Sequence, residues 1–131
     1  MIAIDQSCVE RFLRYVSFDT QSSEESASYP STEKQKQLGR QLVEELREMG
    51  LANAGMDEWG YVTATLPANV SHPVPVIGLI AHMDTSPEVS GAEVKPIIHK
   101  NYQGGDLVLP AGVVIRAEET PELVRQIGND L

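Results

Sequence analysis

The side chains best placed to do chemistry lie together at His82-Met83-Asp84-Thr85, between the apolar run Val74 to Ala81 and a polar loop. In extended backbone, residues two apart face the same side, so His82 and Asp84 would point together while Met83 turns away. An imidazole so placed can give one ring nitrogen to a zinc ion. A carboxylate beside it can accept the other ring N–H and fix the ring. The place is apt as well, because ligands of open α/β sheets gather just outside the carboxyl ends of strands. His-x-Asp on its own is a common pair, and a lone histidine at a strand end is more often structural. The sequence of strand, His-x-Asp-Thr and polar loop is what singles this one out.

The other candidates have blander readings. His72, between Ser71 and Pro73, and His99, after Ile97-Ile98, read as surface histidines near loops. Cys8 is the sole cysteine; it lies among apolar neighbours with no histidine partner in view, and reads as a buried thiol rather than a nucleophile. Gly104-Gly105 lacks the Lys-Ser/Thr of a phosphate loop and reads as a turn. Glu118-Glu119 stands at an expected helix start, where acidic groups favour the helix dipole, and reads as a capping feature.

The elements that must position His82 follow from periodicity. Val9, Phe12, Leu13 and Val16 recur at helical spacing, which predicts an amphipathic helix over about residues 5–17. Ser17 to Ser31 reads as a polar loop. Thr32 and Gln35 match a capping box, Leu38, Leu42, Leu46 and Met49 line one face of a second helix, and Gly50 suits a left-handed stop. Glu44, Glu45, Arg47 and Glu48 would form its solvated outer face. Residues 56–66 then predict a strand pair turning near Gly60. Pro67 to Pro75 is a turn-rich connection, and Val74 to Ala81 predicts a central strand buried on both faces. Asp84 to Gly91 reads as a loop. Val94 to Ile98 and Asp106 to Leu109 predict short strands around the Gly104-Gly105 turn. Thr120-Pro121 predicts the cap and first residue of a short helix carrying Leu123, Val124 and Ile127. Helices followed by strands imply α/β layering. The ending, Ile127-Gly128-Asn129-Asp130-Leu131, reads as cut off where a connection to another strand is expected.

Composition bounds the function. The 131 residues are 41% hydrophobic and 22% charged, ordinary for a folded domain. A formal charge of −9, from 19 acidic against 10 basic residues, argues against nucleic acid and anionic membrane as partners. One cysteine allows no internal disulfide, and the N-terminus has no secretory pattern, so a cytoplasmic, soluble protein is expected.

The stretch from Val76 to Pro87, with Ala81-His82-Met83-Asp84-Thr85 at its centre, resembles the first metal-binding segment of the M20 family of co-catalytic zinc peptidases. The resemblance extends in order through Glu10 to Ser22, Pro30-Ser31-Thr32-Glu33, Glu48-Met49-Gly50-Leu51, Ala64 to Val70 and Asn101 to Asp106. It implies the N-terminal portion, residues 1–131, of one catalytic domain with helices packed on a mixed sheet. His82 would be the zinc ligand and Asp84 the catalytic-centre carboxylate that orients and polarises it. The implied activity is release of the N-terminal residue from tripeptides by a zinc-activated water. A pair of zinc ions is the implied cofactor, short peptides are the implied substrates, and the intact protein is expected to dimerise. The bridging aspartate, the general-base glutamate, the remaining ligands and the lid domain of such enzymes would all lie beyond Leu131. Residues 1–131 alone are accordingly expected to be inactive and to bind zinc weakly. Two rival readings are a non-catalytic interaction module and an M20 dipeptidase or deacylase.

Overall fold

The first helix among the described residues, α1 (Gln6–Tyr15), ends by tightening its last turn. Ser17 N–H bonds to the Arg14 carbonyl at 3.2 Å, and the Ser17 hydroxyl donates to the same oxygen at 2.6 Å. These bonds satisfy a carbonyl that a helix end would leave without a partner. The computed structural model describes residues 6–131, so Asp5, the expected start of this helix, lies outside the described residues. The apolar stripe of α1 is only partly covered: Val9 and Phe12 are exposed, while Leu13 and Val16 are half-buried. Cys8 is exposed too, which corrects the expectation of a buried thiol.

The second helix, α2 (Gln35–Glu48), begins later than its capping signal implies. Lys34 occupies the cap position and makes no side-chain cap bond. Thr32 instead donates its hydroxyl to the Gln21 carbonyl at 2.7 Å and accepts from Gln35 Nε2 at 3.1 Å, so a long-range tie takes the group that a capping box would use. The other end follows its signal. Gly50 has φ +93°, and Leu51 N–H reaches back to the Leu46 carbonyl while Gly50 N–H reaches Arg47, the paired bonds of a Schellman stop.

Glu45 corrects the reading of the outer face of α2. It is 5% exposed, not solvated. It accepts from Arg14 at 2.7 Å, Tyr15 at 2.6 Å and Gln41 at 3.0 Å, with Arg11 at 3.4 Å. A carboxylate can be buried when its lone pairs are filled this way. Burial opposes its charge, but the Tyr15 and Gln41 hydrogen bonds and the two arginines outweigh that, and its pKa is lowered. Burial, with the hydrogen bond to Glu45 added, pushes the Tyr15 phenol up to about 12.

Against α2 packs a hairpin of β1 (Gly55–Met56) and β2 (Val62–Thr63), antiparallel with Met56 opposite Val62. Asp57 makes the turn: its Oδ1 accepts from the Trp59 and Tyr61 backbone at 3.0 and 2.8 Å, and Gly60 takes φ +90°. Gly39 in α2 allows the close approach, since a Cβ there would lie 2.5 Å from the Met56 sulfur.

The central strand is where the expectation fails. Val74 to Ala81 forms no strand, and it is exposed, with Val76 at 97% and Ile80 at 98%. Backbone N–H and C=O groups need a ladder, and among the described residues none runs beside this segment. Apolar content favours burial but cannot supply the neighbouring strand. What is observed is a mixture of helices and small antiparallel sheets, without a central sheet among the described residues.

The chain divides into two compact units, one ending at Lys95 and the other spanning Pro96–Leu131. In the second, β3 (Leu107–Val108) pairs antiparallel with β4 (Val114–Ile115). Val94 to Ile98, the expected partner, forms no strand. The strand that does pair follows β3 directly, because the Pro110–Gly112 turn folds the chain straight back on itself, with Leu109 N–H bonded to the Val113 carbonyl at 2.7 Å. Gly104 and Gly105 both have positive φ and form a turn, which Tyr102 ties by donating its hydroxyl to the Gly105 carbonyl. The last helix, α3 (Pro121–Val124), has proline at its first turn as expected but stops short of Ile127. Among the described residues no helix is long and apolar enough to cross a membrane.

Candidate metal centre

His82 and Asp84 meet. His82 Nδ1 lies 3.0 Å from Asp84 Oδ1. An ionised carboxylate only accepts, so Nδ1 donates, and in the neutral ring this leaves the lone pair on Nε2. That outer nitrogen has no hydrogen-bond partner among the described residues, and the His82 side chain is 85% exposed. Met83 turns the other way, with its methyl near Gly39 of α2. The alternation of an extended chain thus brings the two polar groups to one side without help from a sheet.

Among the described residues the segment ahead of His82 has no strand beside it, whereas the segment behind Asp84 is held firmly. Thr85 forms a parallel bridge with Gln21: its N–H donates to the Thr20 carbonyl at 3.1 Å, and its carbonyl accepts from Ser22 N–H at 3.0 Å. Asp19 stands at the base of this bridge, paired with Lys34 at 2.9 Å. The Lys34 ammonium and then the Gln21 N–H hold the Asp19 carboxyl below its usual range. Around the pair opens a cleft of about 1090 Å³, walled in part by Trp59, Tyr61, Leu79 and Ile80.

The donor set fits one position of a metal centre, a neutral imidazole with a free Nε2 oriented by a carboxylate. It does not fit a whole centre, because among the described residues no group of three or more His, Cys, Asp or Glu converges. His72 is exposed in its loop. His99 is half-buried rather than on the surface, and its Nε2 has no partner among the described residues. Glu118 and Glu119 lie exposed in the turn before α3. The residues that sequence reasoning missed are Thr20, Gln21 and Ser22. Their partners lie more than sixty positions along the chain, and no local pattern signals such a pairing.

No protein-family model matches the chain. Individual proteins do. Over 128 residues, 96% of this chain, it is 49% identical to peptidase T of Clostridium acetobutylicum. The identity is 50% over 125 residues with peptidase T of Halothermothrix orenii, and 52% over 124 residues with that of Aliivibrio fischeri. The chain is similar to peptidase T along nearly all of its own length. It spans 31% of the length of the first two of these relatives and 30% of the third. The similarity to peptidase T covers His82 and Asp84 as well as the α2 stop and the hairpin, since nearly the whole chain is aligned.

Proposed function

We propose that this chain is the N-terminal portion of one catalytic domain of an M20-type metallo-aminopeptidase, which releases the N-terminal residue from tripeptides in the cytosol. The observation that carries the reading is the 3.0 Å pair of His82 Nδ1 and Asp84 Oδ1, with Nε2 left outward. Identity of about half to peptidase T proteins over nearly the whole chain supports it. The exposed run Val74–Ala81 supports it too, because a strand of that composition calls for neighbours that a longer chain of the relatives' length would supply.

In this reading His82 contributes one ligand through Nε2. Asp84 accepts the Nδ1–H, which fixes the tautomer and makes the ring a stronger donor. Zinc bound there would supply a Lewis acid and an activated water for peptide hydrolysis. Polypeptide beyond residue 131 would complete the centre and carry a dimer interface.

The test uses the full-length protein with two tripeptides, one with a free α-amine and one acetylated. Release of the first residue from the free tripeptide only, stopped by a chelator, is the expected result. Cleavage of acyl groups or dipeptides instead would favour another M20 activity. No hydrolysis of any of these by zinc-loaded protein would favour a non-catalytic module.

A further inference from the structure

The stretch Ser17–Ser31 has the composition of a plain polar loop, yet its residues 20–22 grip the segment that follows Asp84. Thr20 is only 2% exposed. Gln21 uses both ends of its amide. Its Nε2 donates to the Pro87 carbonyl at 2.9 Å and to the Val89 carbonyl at 3.3 Å. Its Oε1 accepts from Lys34 Nζ at 3.4 Å, and its own carbonyl accepts the Thr32 hydroxyl at 2.7 Å. Ser22 adds a hydroxyl bond of 2.9 Å to the Thr85 carbonyl. The loop is folded closely here, since a Cβ on Gly91 would lie 3.1 Å from Thr85 Oγ1.

We propose that Gln21 is a positioning residue for the His82–Asp84 pair. Asp84 is joined directly to Thr85, the point at which the bridge from Thr20 and Ser22 is made. Upstream, Val74–Ala81 has no ladder among the described residues. The Asp84 carboxylate is aimed from its downstream side by the bridge at Thr85 and the Gln21 amide at Pro87 and Val89, and these contacts hold whether or not a longer chain adds strands beside Val74–Ala81. Only a side chain with a donor at this reach can hold two carbonyl oxygens. Glutamate has the length but would present oxygen to oxygen. The proposal rests on the reading of His82 as a ligand whose tautomer Asp84 fixes.

The experiment compares wild-type, Gln21→Glu and Gln21→Met full-length protein with ¹⁵N-labelled histidine, the His82 signals being assigned by their disappearance in His82→Ala. In the metal-free wild-type protein His82 should show a single neutral tautomer protonated on Nδ1. In Gln21→Glu the signals should move toward a mixture of tautomers. The kcat for a tripeptide should fall about tenfold with KM nearly unchanged, as expected when a reacting group is misaimed while substrate binding is intact. Gln21→Met, which removes the donor without adding a charge and keeps the length, should shift both in the same direction by less, and it decides the matter if the glutamate variant fails to fold. A single Nδ1–H signal kept in the folded variants would overturn the proposal, whatever the rates. Should the wild-type protein hydrolyse no tripeptide, the peptidase reading fails, while the tautomer signal still decides the role of Gln21.

Discussion

Two stretches of the same unit behave in opposite ways. The region of α1, α2 and the β1–β2 hairpin closes on itself, through Glu45, the Gly50 stop and the Asp57 turn. The run Val74–Ala81 is far more apolar, yet it lies open with no neighbouring strand among the described residues. The contrast teaches that hydrophobicity predicts burial only where a partner exists to bury against. Each closed element has its partner nearby in the chain or on an adjacent helix. A central strand needs two neighbours, and sequence cannot show whether they are present.

The largest effect expected from this contrast is in hydrogen exchange. In residues 1–131 alone, amides of Val76–Ile80 should exchange at nearly the unprotected rate while those in the middle of α2 are slowed. In full-length protein the same amides should be protected by roughly a hundredfold or more, as core strands that open only with global unfolding are. Equal protection of the run and α2 in the short chain would break the comparison. A charge sharpens it: Ile80→Asp should be nearly neutral in the short chain, where the side chain is solvated, and should cost roughly 3 kcal/mol or more in the long one if the strand is buried there. Denaturant midpoints of both lengths would measure the difference.

In the closed region the effects are smaller. Glu45→Ala removes the acceptor shared by Arg14, Tyr15, Gln41 and Arg11. Because the arginines remain partly exposed and keep water, the cost should be about 1–2 kcal/mol, read as a lower unfolding midpoint. An unchanged midpoint would mean that Glu45 is not what holds α1 to α2.

Much of this fold is legible in the sequence, and the misses share one cause. Gly50, the Asp57–Gly60 turn and Pro121 are readable because each acts within a few residues, through φ preferences or local side-chain bonds. The meeting of His82 and Asp84 is readable because it follows from two-residue alternation alone. The burial of Glu45, the diversion of Thr32 to Gln21 and the grip of residues 20–22 on Thr85 are not. In each, the deciding partner is 11 or more positions away, and the residue types are those that also suit a solvated surface. The Val74–Ala81 expectation fails for the complementary reason, a strong local signal with no partner to satisfy it.

The last effect is confined to alkaline pH and concerns Tyr15. Its phenol stays neutral in the folded chain up to about 12, whereas in the unfolded chain it ionises near 10.0. The unfolded state therefore gains by losing a proton first, and the contribution, complete below pH 10, is lost as the pH rises toward 12. Tyr15→Phe should remove that part of the alkaline decline. An identical alkaline profile in the variant would contradict the role assigned to the Tyr15–Glu45 bond.

The central claim is best tested by counting metal in the full-length protein with and without the imidazole. His82→Ala should lower the zinc bound per chain, and with it abolish release of N-terminal residues from tripeptides. Undiminished zinc content together with full activity in that variant would contradict the account.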